Sequence, residues 1–209
     1  MLQNKNTKID ICAPAKIALS IAHSMYKVGA KFNSINEYHW SVSVSLSLKE
    51  LLKKNSFEVT IFDKSVLMQN AKDYSKAYNE NIKLINKWKP DITLEIHLNA
   101  ADYSTLQDKP IPDSFANYGE YLYFGKSKIF AEKIEAEFKN SFEKIRQQIR
   151  PLKKGDNGYT FVKDVNGCCV LAEPFFINNK KHFEVLSSKQ DEVVRCFNNA
   201  IEAYTYNHI

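Results

Sequence analysis

The feature that most constrains the fold is an alternation of short apolar segments with longer amphipathic ones. Short apolar runs bounded by polar residues are typical of buried strands. We predict strands over residues 16–22, 57–62, 92–98, 118–124 and 168–173. Helical periods lie between them, over residues 75–87, 127–146 and 190–204. Strands separated by helices predict an α/β fold, with a mostly parallel central sheet and helices on both faces in a single domain.

One segment fits both kinds of element. Residues 40–48 alternate apolar side chains with serine, which is typical of a strand. Trp40, Val44 and Leu48 also lie on one face of a helix, and strong helix formers follow them. We therefore predict a helix over residues 37–54.

The length of the chain fits one domain with a sizeable core. Of its 209 residues, 44% are apolar, which is ordinary for a protein of this size. We assign residues 1–15 to an N-terminal extension and residues 16–209 to the functional domain. Residues 100–117 form a long insertion after a strand, where a loop is more often a substrate wall than a linker.

Charge, hydropathy and cysteine content exclude several classes of protein. The net charge of +5 comes from interleaved lysines and acids without an arginine-rich block, so we predict no nucleic-acid binding. No apolar run reaches the roughly 20 residues that span a bilayer, so we predict no stable membrane insertion. Residues 1–10 are polar, which predicts synthesis in the cytoplasm without a signal peptide. The four cysteines lack CxxC spacing, and we predict free thiols.

Four side chains capable of chemistry lie near predicted strand ends. His23, His97 and Glu173 follow or close strands, and the carboxyl ends of parallel strands form the ligand-binding crevice of an α/β sheet. Glu37 begins the next helix near the same edge. Together these groups could bind a metal or act as acid and base.

Structural roles are the alternative, since Glu37 lies at capping-box spacing from Ser34 and Glu173 could be an exposed strand end. For His39, His182 and His208 we predict structural roles.

Several segments, taken together, resemble one enzyme family. In chain order they are IALSIAHS at 17–24, NE at 36–37, LEIHLNA at 94–100, GEYLY at 119–123, SKIFA at 127–131 and VLAEPFFINN at 170–179. Over roughly residues 16–205, the chain resembles the zinc-dependent N-acetylmuramoyl-L-alanine amidases, particularly the phage and prophage endolysins. It departs from the family where Ala22 and Ser24 replace frequent glycines. It departs again after Thr60, where many members have arginine.

The resemblance implies a reaction and a site. The reaction is hydrolysis of the amide bond between N-acetylmuramic acid and L-alanine in peptidoglycan, by an enzyme that reaches the cell wall after release. The site holds one Zn²⁺ per chain through His23, Glu37 and His97, and Glu173 is the catalytic carboxylate. Peptidoglycan is then the expected partner, and residues 16–209 are the catalytic domain.

The implied ligand set suits a hydrolase. Two histidine nitrogens and one carboxylate leave an open position for water, as catalytic zinc sites do. Glu173 would accept the proton of that water and return it to the leaving amine. Glu95 and Asn99 could orient ligands or contact substrate, and a plain surface role is the alternative for Glu95.

Other functions fit part of the same pattern. A zinc peptidase acting on the stem peptide would use the same metal ligands and differ only in its products. A wall-binding protein without activity would keep the fold and lack the metal. Nucleic-acid binding is suggested only by the sequence pI near 8.8.

Overall fold

The computed structural model describes residues 13–101 and 117–208. The strands are β1 (Lys16–Ile21), β2 (Lys31–Phe32), β3 (Ile35–Asn36), β4 (Glu58–Phe62), β5 (Ile92–Ile96), β6 (Tyr118–Tyr123), β7 (Arg146–Pro151) and β8 (Cys168–Glu173). The helices are α1 (Glu37–Lys54), α2 (Tyr74–Trp88), α3 (Lys128–Ser141), α4 (Tyr159–Asp164), α5 (Lys180–Ser188) and α6 (Gln190–His208). Most of the predicted N-terminal extension and of the predicted insertion lies outside the described residues.

The central sheet has the order β4-β1-β5-β8-β6-β7 within the described ranges. The first four strands are parallel to one another, and β6 is antiparallel to β8 and parallel to β7. The prediction of a mostly parallel sheet is therefore confirmed. Because β6 runs against β8, its first residues lie at the edge where β8 ends, and Glu120 is the register partner of Glu173.

Helices cover both faces of the sheet, as predicted. One apolar cluster packs one face of the sheet against α1, α3 and α6, with Val44, Phe138 and Phe197 buried at its centre. A smaller cluster packs the opposite face against α2 and α4 through residues such as Ile85 and Phe161. Removal of this apolar surface from water is the main favourable term in folding.

Helix α1 begins and ends where the sequence predicts. Its apolar stripe is buried, while the alternating serines that resembled a strand lie on both its buried and its exposed sides. Ser41 is fully buried, and its Oγ accepts a hydrogen bond from the backbone N–H of Ala22 at 3.1 Å. The small serine side chain thus lets the helix approach β1 directly before His23.

The predicted helix over residues 127–146 is wrong in its last part. Helix α3 ends at Ser141, a turn follows in which the N–H of Ile145 donates to the carbonyl of Phe142, and β7 begins at Arg146. Strand β7 pairs with β6 alone among the described strands and is largely polar, so it lacks the apolar pattern that predicts a buried strand. Helices α4 and α5 were also not predicted.

The cysteines agree with the prediction as far as they are described. Cys168, Cys169 and Cys196 are buried free thiols, and Cys12 lies outside the described residues. Burial raises the pKa of the Cys196 thiol to about 11, which makes that thiol unreactive at neutral pH. In the part of the chain that the structure describes, no helix combines the length and apolarity needed to cross a membrane.

Candidate metal centre

Three strand ends and one helix start meet at the carboxyl edge of the sheet. His23 follows β1, His97 follows β5, Glu173 ends β8, and Glu37 is the first residue of α1. Ligand atoms of His23, Glu37 and His97 lie within 4.8 Å of one another. The structure therefore brings together the three residues for which the sequence predicts metal ligation.

Glu37 lies at the centre of this cluster. Its Oε2 is 2.9 Å from Nε2 of His23, and its Oε1 is 2.9 Å from Nδ1 of His97. Each oxygen also accepts a backbone N–H, Oε2 from Ala30 at 3.2 Å and Oε1 from Leu98 at 3.1 Å. The carboxylate is thus fixed in place, with only 1% of the residue exposed, and both imidazoles face it.

The capping-box alternative for Glu37 is wrong. The N-cap of α1 is Asn36, whose side chain accepts from the backbone N–H of His39 at 3.0 Å. The first amide groups of the helix donate instead to the preceding loop, that of Glu37 to the carbonyl of Ala30. The cap is therefore complete without the Glu37 carboxylate, which leaves that group to the site.

The loop after β1 holds its backbone close against the cluster. His23 has a φ of 57° and Gly29 a φ of 74°, both in the left-handed region that favours glycine. A Cβ at Gly29 would lie 2.4 Å from Oε2 of Glu37 and 2.5 Å from the His23 ring. A strained histidine and an obligatory small residue at one place are typical of a functional site.

The charges at the cluster are strongly coupled. Burial disfavours the Glu37 carboxylate, but hydrogen bonds from His23 and His97 and their charges outweigh this and lower its pKa to about 2. Burial likewise disfavours a charged His97, yet Glu95 and Glu37 raise its pKa to about 10. The two carboxylates therefore favour a positive charge between them.

The donor set matches a catalytic zinc site. Zn²⁺ prefers imidazole nitrogen, thiolate sulfur and carboxylate oxygen, and catalytic sites use three protein ligands. His23 Nε2, His97 Nδ1 and the Glu37 carboxylate form such a set, with one anion and two neutral donors. The residues present therefore fit zinc by donor type, number and convergence.

Glu173 lies beside the cluster with a different environment. Burial raises the pKa of its carboxyl to about 7; His97 and Arg150 lower it, whereas Glu37 and Glu120 raise it. Glu120 accepts from Gln148 at 2.6 Å and forms an ion pair with Arg150 at 3.3 Å. A carboxyl with a pKa near neutrality is suited to accept and return a proton.

Glu95 is buried, so the surface alternative for it is wrong. Only 1% of the residue is exposed, and its Oε2 lies 3.2 Å from Nε2 of His97. Its Oε1 accepts from Ser20 Oγ at 3.1 Å and pairs with the Lys64 ammonium at 3.2 Å. Burial disfavours the Glu95 carboxylate, yet Lys64 and His97 lower its pKa to about 2.

Asn99 links the ends of β5 and β8. Its N–H donates to the carbonyl of Phe175 and its carbonyl accepts from Ile177, both at 2.8 Å. Its side-chain Oδ1 accepts from the N–H of Ala100 at 2.7 Å. These contacts hold the chain after His97, while a direct role of the Asn99 side chain stays a prediction.

The other histidines lie away from the cluster. His39 is exposed and hydrogen-bonded to Asn36 at 2.8 Å, and His208 ends α6. His182 is buried, where its Nδ1 accepts from the N–H of Phe176 at 2.8 Å. These positions agree with the structural roles predicted for them.

Sequence reasoning missed Lys64, Glu120 and Arg150. Lys64 belongs to a short 3₁₀ helix after β4, and a single lysine after a strand resembles any surface lysine. Arg150 lies in β7, over which no strand was predicted. Glu120 could have been found from the short apolar strand around it, in which a lone acid is unexpected.

The fold and the site together define an α/β protein with a candidate metal centre of two histidines and one glutamate. The family model for N-acetylmuramoyl-L-alanine amidase, Amidase_3, matches residues 17–203. The chain therefore belongs to the N-acetylmuramoyl-L-alanine amidase family. The resemblance seen in the sequence is confirmed at the level of the family.

A curated relative and several solved structures are similar to the chain. The N-acetylmuramoyl-L-alanine amidase CwlM of Bacillus licheniformis is 23% identical over 167 residues, which are 78% of this chain and 63% of CwlM. The chain thus spans less than two thirds of the length of that relative.

The similar structures are amidase and endolysin domains. The CwlD amidase of Clostridioides difficile, solved in complex with the GerS lipoprotein, has a TM-score of 0.75 at 22% identity and covers 92% of this chain and 99% of its own. The catalytic domain of CwlV from Bacillus (Paenibacillus) polymyxa var. colistinus has a TM-score of 0.73 at 18% identity, with 92% and 98% covered. The catalytic domain of the CD27L endolysin has a TM-score of 0.69 at 18% identity, and the match covers 90% of this chain and 97% of that domain. At these identities the structures establish the fold.

Proposed function

We propose that this chain hydrolyses the amide bond between N-acetylmuramic acid and L-alanine in peptidoglycan. In this proposal His23, Glu37 and His97 hold one Zn²⁺, Glu173 is the general base, and residues 16–209 are the catalytic domain. The observation that carries the proposal is the Glu37 carboxylate, which faces one nitrogen of each histidine at 2.9 Å. Membership in the amidase family supports the choice of bond.

The chemistry follows from the positions of the side chains. Bound zinc would supply a water with a pKa lowered to about 7 and would polarise the scissile carbonyl. Glu173 accepts the proton of the attacking water and returns it to the leaving alanine nitrogen, which is a poor leaving group until it is protonated. Burial of Glu173 favours its protonated form, which suits a group that must hold a proton and then return it. Arg150, held by Glu120, keeps a positive charge near that carboxyl.

The proposed partner is peptidoglycan, and the proposed place of action is the cell wall. The predicted phage or prophage endolysin setting stays a prediction. The CD27L endolysin domain and the CwlD and CwlV domains all share the fold, so the fold does not separate a lysin from the other wall amidases.

Digestion of purified sacculi followed by mass spectrometry tests the reaction. We expect complete stem peptides with new L-alanine N-termini, and activity that a chelator abolishes and zinc restores. Cleavage within the stem peptide would identify a peptidase instead. A zinc-loaded chain that releases nothing would contradict the proposed activity.

Matched histidine variants test the metal site. His97→Ala removes a proposed ligand and is expected to lose the zinc, whereas His39→Ala changes an exposed side chain and is expected to keep one equivalent. Elemental analysis after reconstitution measures both. Loss of zinc from His39→Ala, or full retention by His97→Ala, would show that the assigned ligands are wrong.

A further inference from the structure

Lys64 is the one lysine among the described residues that is fully removed from solvent. Only 1% of it is exposed. Its ammonium donates to the backbone carbonyl of Ile21 and pairs with Oε1 of Glu95 at 3.2 Å. A buried lysine is costly unless its charge is paired and its donors are satisfied, so its retention next to the metal centre requires a reason.

Both ring nitrogens of His97 face carboxylates. Nδ1 lies 2.9 Å from Oε1 of Glu37, and Nε2 lies 3.2 Å from Oε2 of Glu95. By distance alone, a cation could approach the imidazole from either side. The two sides differ in what lies behind the carboxylate, which is His23 behind Glu37 and Lys64 behind Glu95.

We propose that Lys64 is a positioning residue that decides which ring nitrogen of His97 binds the metal. Its ammonium occupies the Glu95 side with a fixed positive charge, so a second cation there is repelled. The pair leaves Oε2 of Glu95 3.2 Å from Nε2 of His97, where the negative charge of the carboxylate favours the ring proton on that nitrogen. Nδ1 is then unprotonated and available beside Glu37 and His23. The inference rests on the proposed metal centre.

The hydrogen bonds of Lys64 also explain how the arrangement is held. Oε1 of Glu95 is occupied by Lys64 and by Ser20 Oγ, which leaves Oε2 for the imidazole. The bond to Ile21 connects the same ammonium to the last residue of β1, two positions before His23. Lys64 therefore fixes Glu95, which faces the proposed ligand His97, and it fixes the end of β1, which positions the proposed ligand His23. Outer partners of metal-bound histidines commonly fix the tautomer in this way.

Substitution of Lys64 separates positioning from simple stabilisation. Lys64→Met keeps the length of the side chain and removes the charge, whereas the double variant Lys64→Met with Glu95→Met also removes the carboxylate. Replacement of a buried ion pair by apolar residues of similar size is often neutral for stability. The double variant is therefore expected to regain most of the urea resistance that Lys64→Met loses in the metal-free state.

Zinc affinity is expected to behave differently from stability. Competition with a chromophoric chelator should show roughly a 10- to 100-fold loss of affinity in Lys64→Met, and the same loss in the double variant. Nitrogen chemical shifts of the zinc-loaded parent should place the proton of His97 on Nε2. In Lys64→Met and in the double variant, they should show a mixture of molecules that bind zinc through Nδ1 and through Nε2. Lys83→Met, at an exposed lysine paired with Glu80, should leave affinity and shifts unchanged.

Three outcomes would overturn the inference. Parental zinc affinity in Lys64→Met would show that the lysine has no role at the site. Recovery of both stability and affinity in the double variant would show that the pair is only structural. A parent chain that binds no zinc would overturn the metal centre itself, and this outcome is distinguished from the others because it appears before any substitution.

Discussion

The two faces of the central sheet differ in chemistry, although the same strands contribute side chains to both. On the face covered by α1, α3 and α6, Leu19, Leu94 and Val170 are fully buried and apolar. On the opposite face the neighbouring positions become polar towards the carboxyl edge, with Ser20 and Glu95 beneath the proposed ligands. Alternation along each strand thus gives one face that is apolar and another that turns polar at the carboxyl edge.

The difference implies that stability and function are separable in this chain. A change on the apolar face is expected to lower the free energy of unfolding without altering the turnover of molecules that stay folded. Replacement of the proton-transferring carboxyl at the polar edge is expected to do the reverse. The following substitutions test this separation, from the largest expected effect to the smallest.

Glu173→Gln gives the largest expected loss of activity. The glutamine keeps the shape of the side chain but cannot accept a proton, so turnover on sacculi should fall by roughly 10²- to 10⁴-fold. Zinc content should stay at one equivalent, and the urea midpoint of the zinc-loaded chain should not fall. Loss of zinc from this variant would make Glu173 a ligand, and retention of activity would assign the proton transfer to another group.

Phe138→Ala gives the largest expected loss of stability. Phe138 is fully buried in the apolar cluster, where its ring contacts those of Phe142, Phe175 and Phe197. Removal of a buried phenylalanine ring costs about 3–5 kcal/mol in the free energy of unfolding, which urea titration measures. Turnover per folded molecule should match that of the parent. A parallel fall in zinc affinity would show that the two faces are coupled.

Gly29→Ala and Gly125→Ala form a matched pair. Both glycines have a positive φ, so either substitution costs about 1–2 kcal/mol in backbone strain. A Cβ at Gly29 would also contact Glu37 and the His23 ring, whereas a Cβ at Gly125 meets nothing within 4 Å. Zinc affinity, measured by chelator competition, should therefore fall roughly 10- to 100-fold in Gly29→Ala alone. Equal affinities in the two variants would contradict the tight packing described for Gly29.

The pH dependence of the metal-free chain tests the Glu173 carboxyl by its effect on stability alone. Burial raises the pKa of Glu173 from 4.5 to about 7, so the folded state binds more protons between these values. This group therefore contributes stability that is present below pH 4.5 and is lost as the pH rises through 7. Urea titrations of the chelated protein at pH 5 and pH 8 should show a smaller decrease in Glu173→Gln than in the parent. Equal decreases would mean that the carboxyl has an ordinary pKa.

Much of the parallel half of the fold could be predicted from the sequence. The strand over Ile92–Ile96 alternates apolar and polar side chains, and β8 is a continuous apolar run, so both have a clear local signal. Helix α1 was found because its apolar stripe repeats every four residues despite the serines. The site was predicted because parallel strands share one carboxyl edge, which places His97 and Glu173 side by side.

What could not be predicted depends on contacts between distant parts of the chain. Strand β7 is an edge strand with polar residues, and it becomes a strand only because β6 lies beside it. The burial of Lys64 and Glu95 depends on their mutual pairing, and a charged side chain considered alone is expected at the surface. The direction of β6 also has no local signal, so the position of Glu120 beside Glu173 required the structure.

The reversed direction of β6 has a consequence for how members of such a family can diverge. The chain leaves β5 and enters β6 at the same edge of the sheet, because β6 starts where β5 and β8 end. An insertion or deletion between Ala101 and Asn117 would therefore leave the register of every strand and the spacing of the histidines unchanged. The length and composition of this segment can therefore evolve independently of the strand ends that carry the proposed catalytic groups.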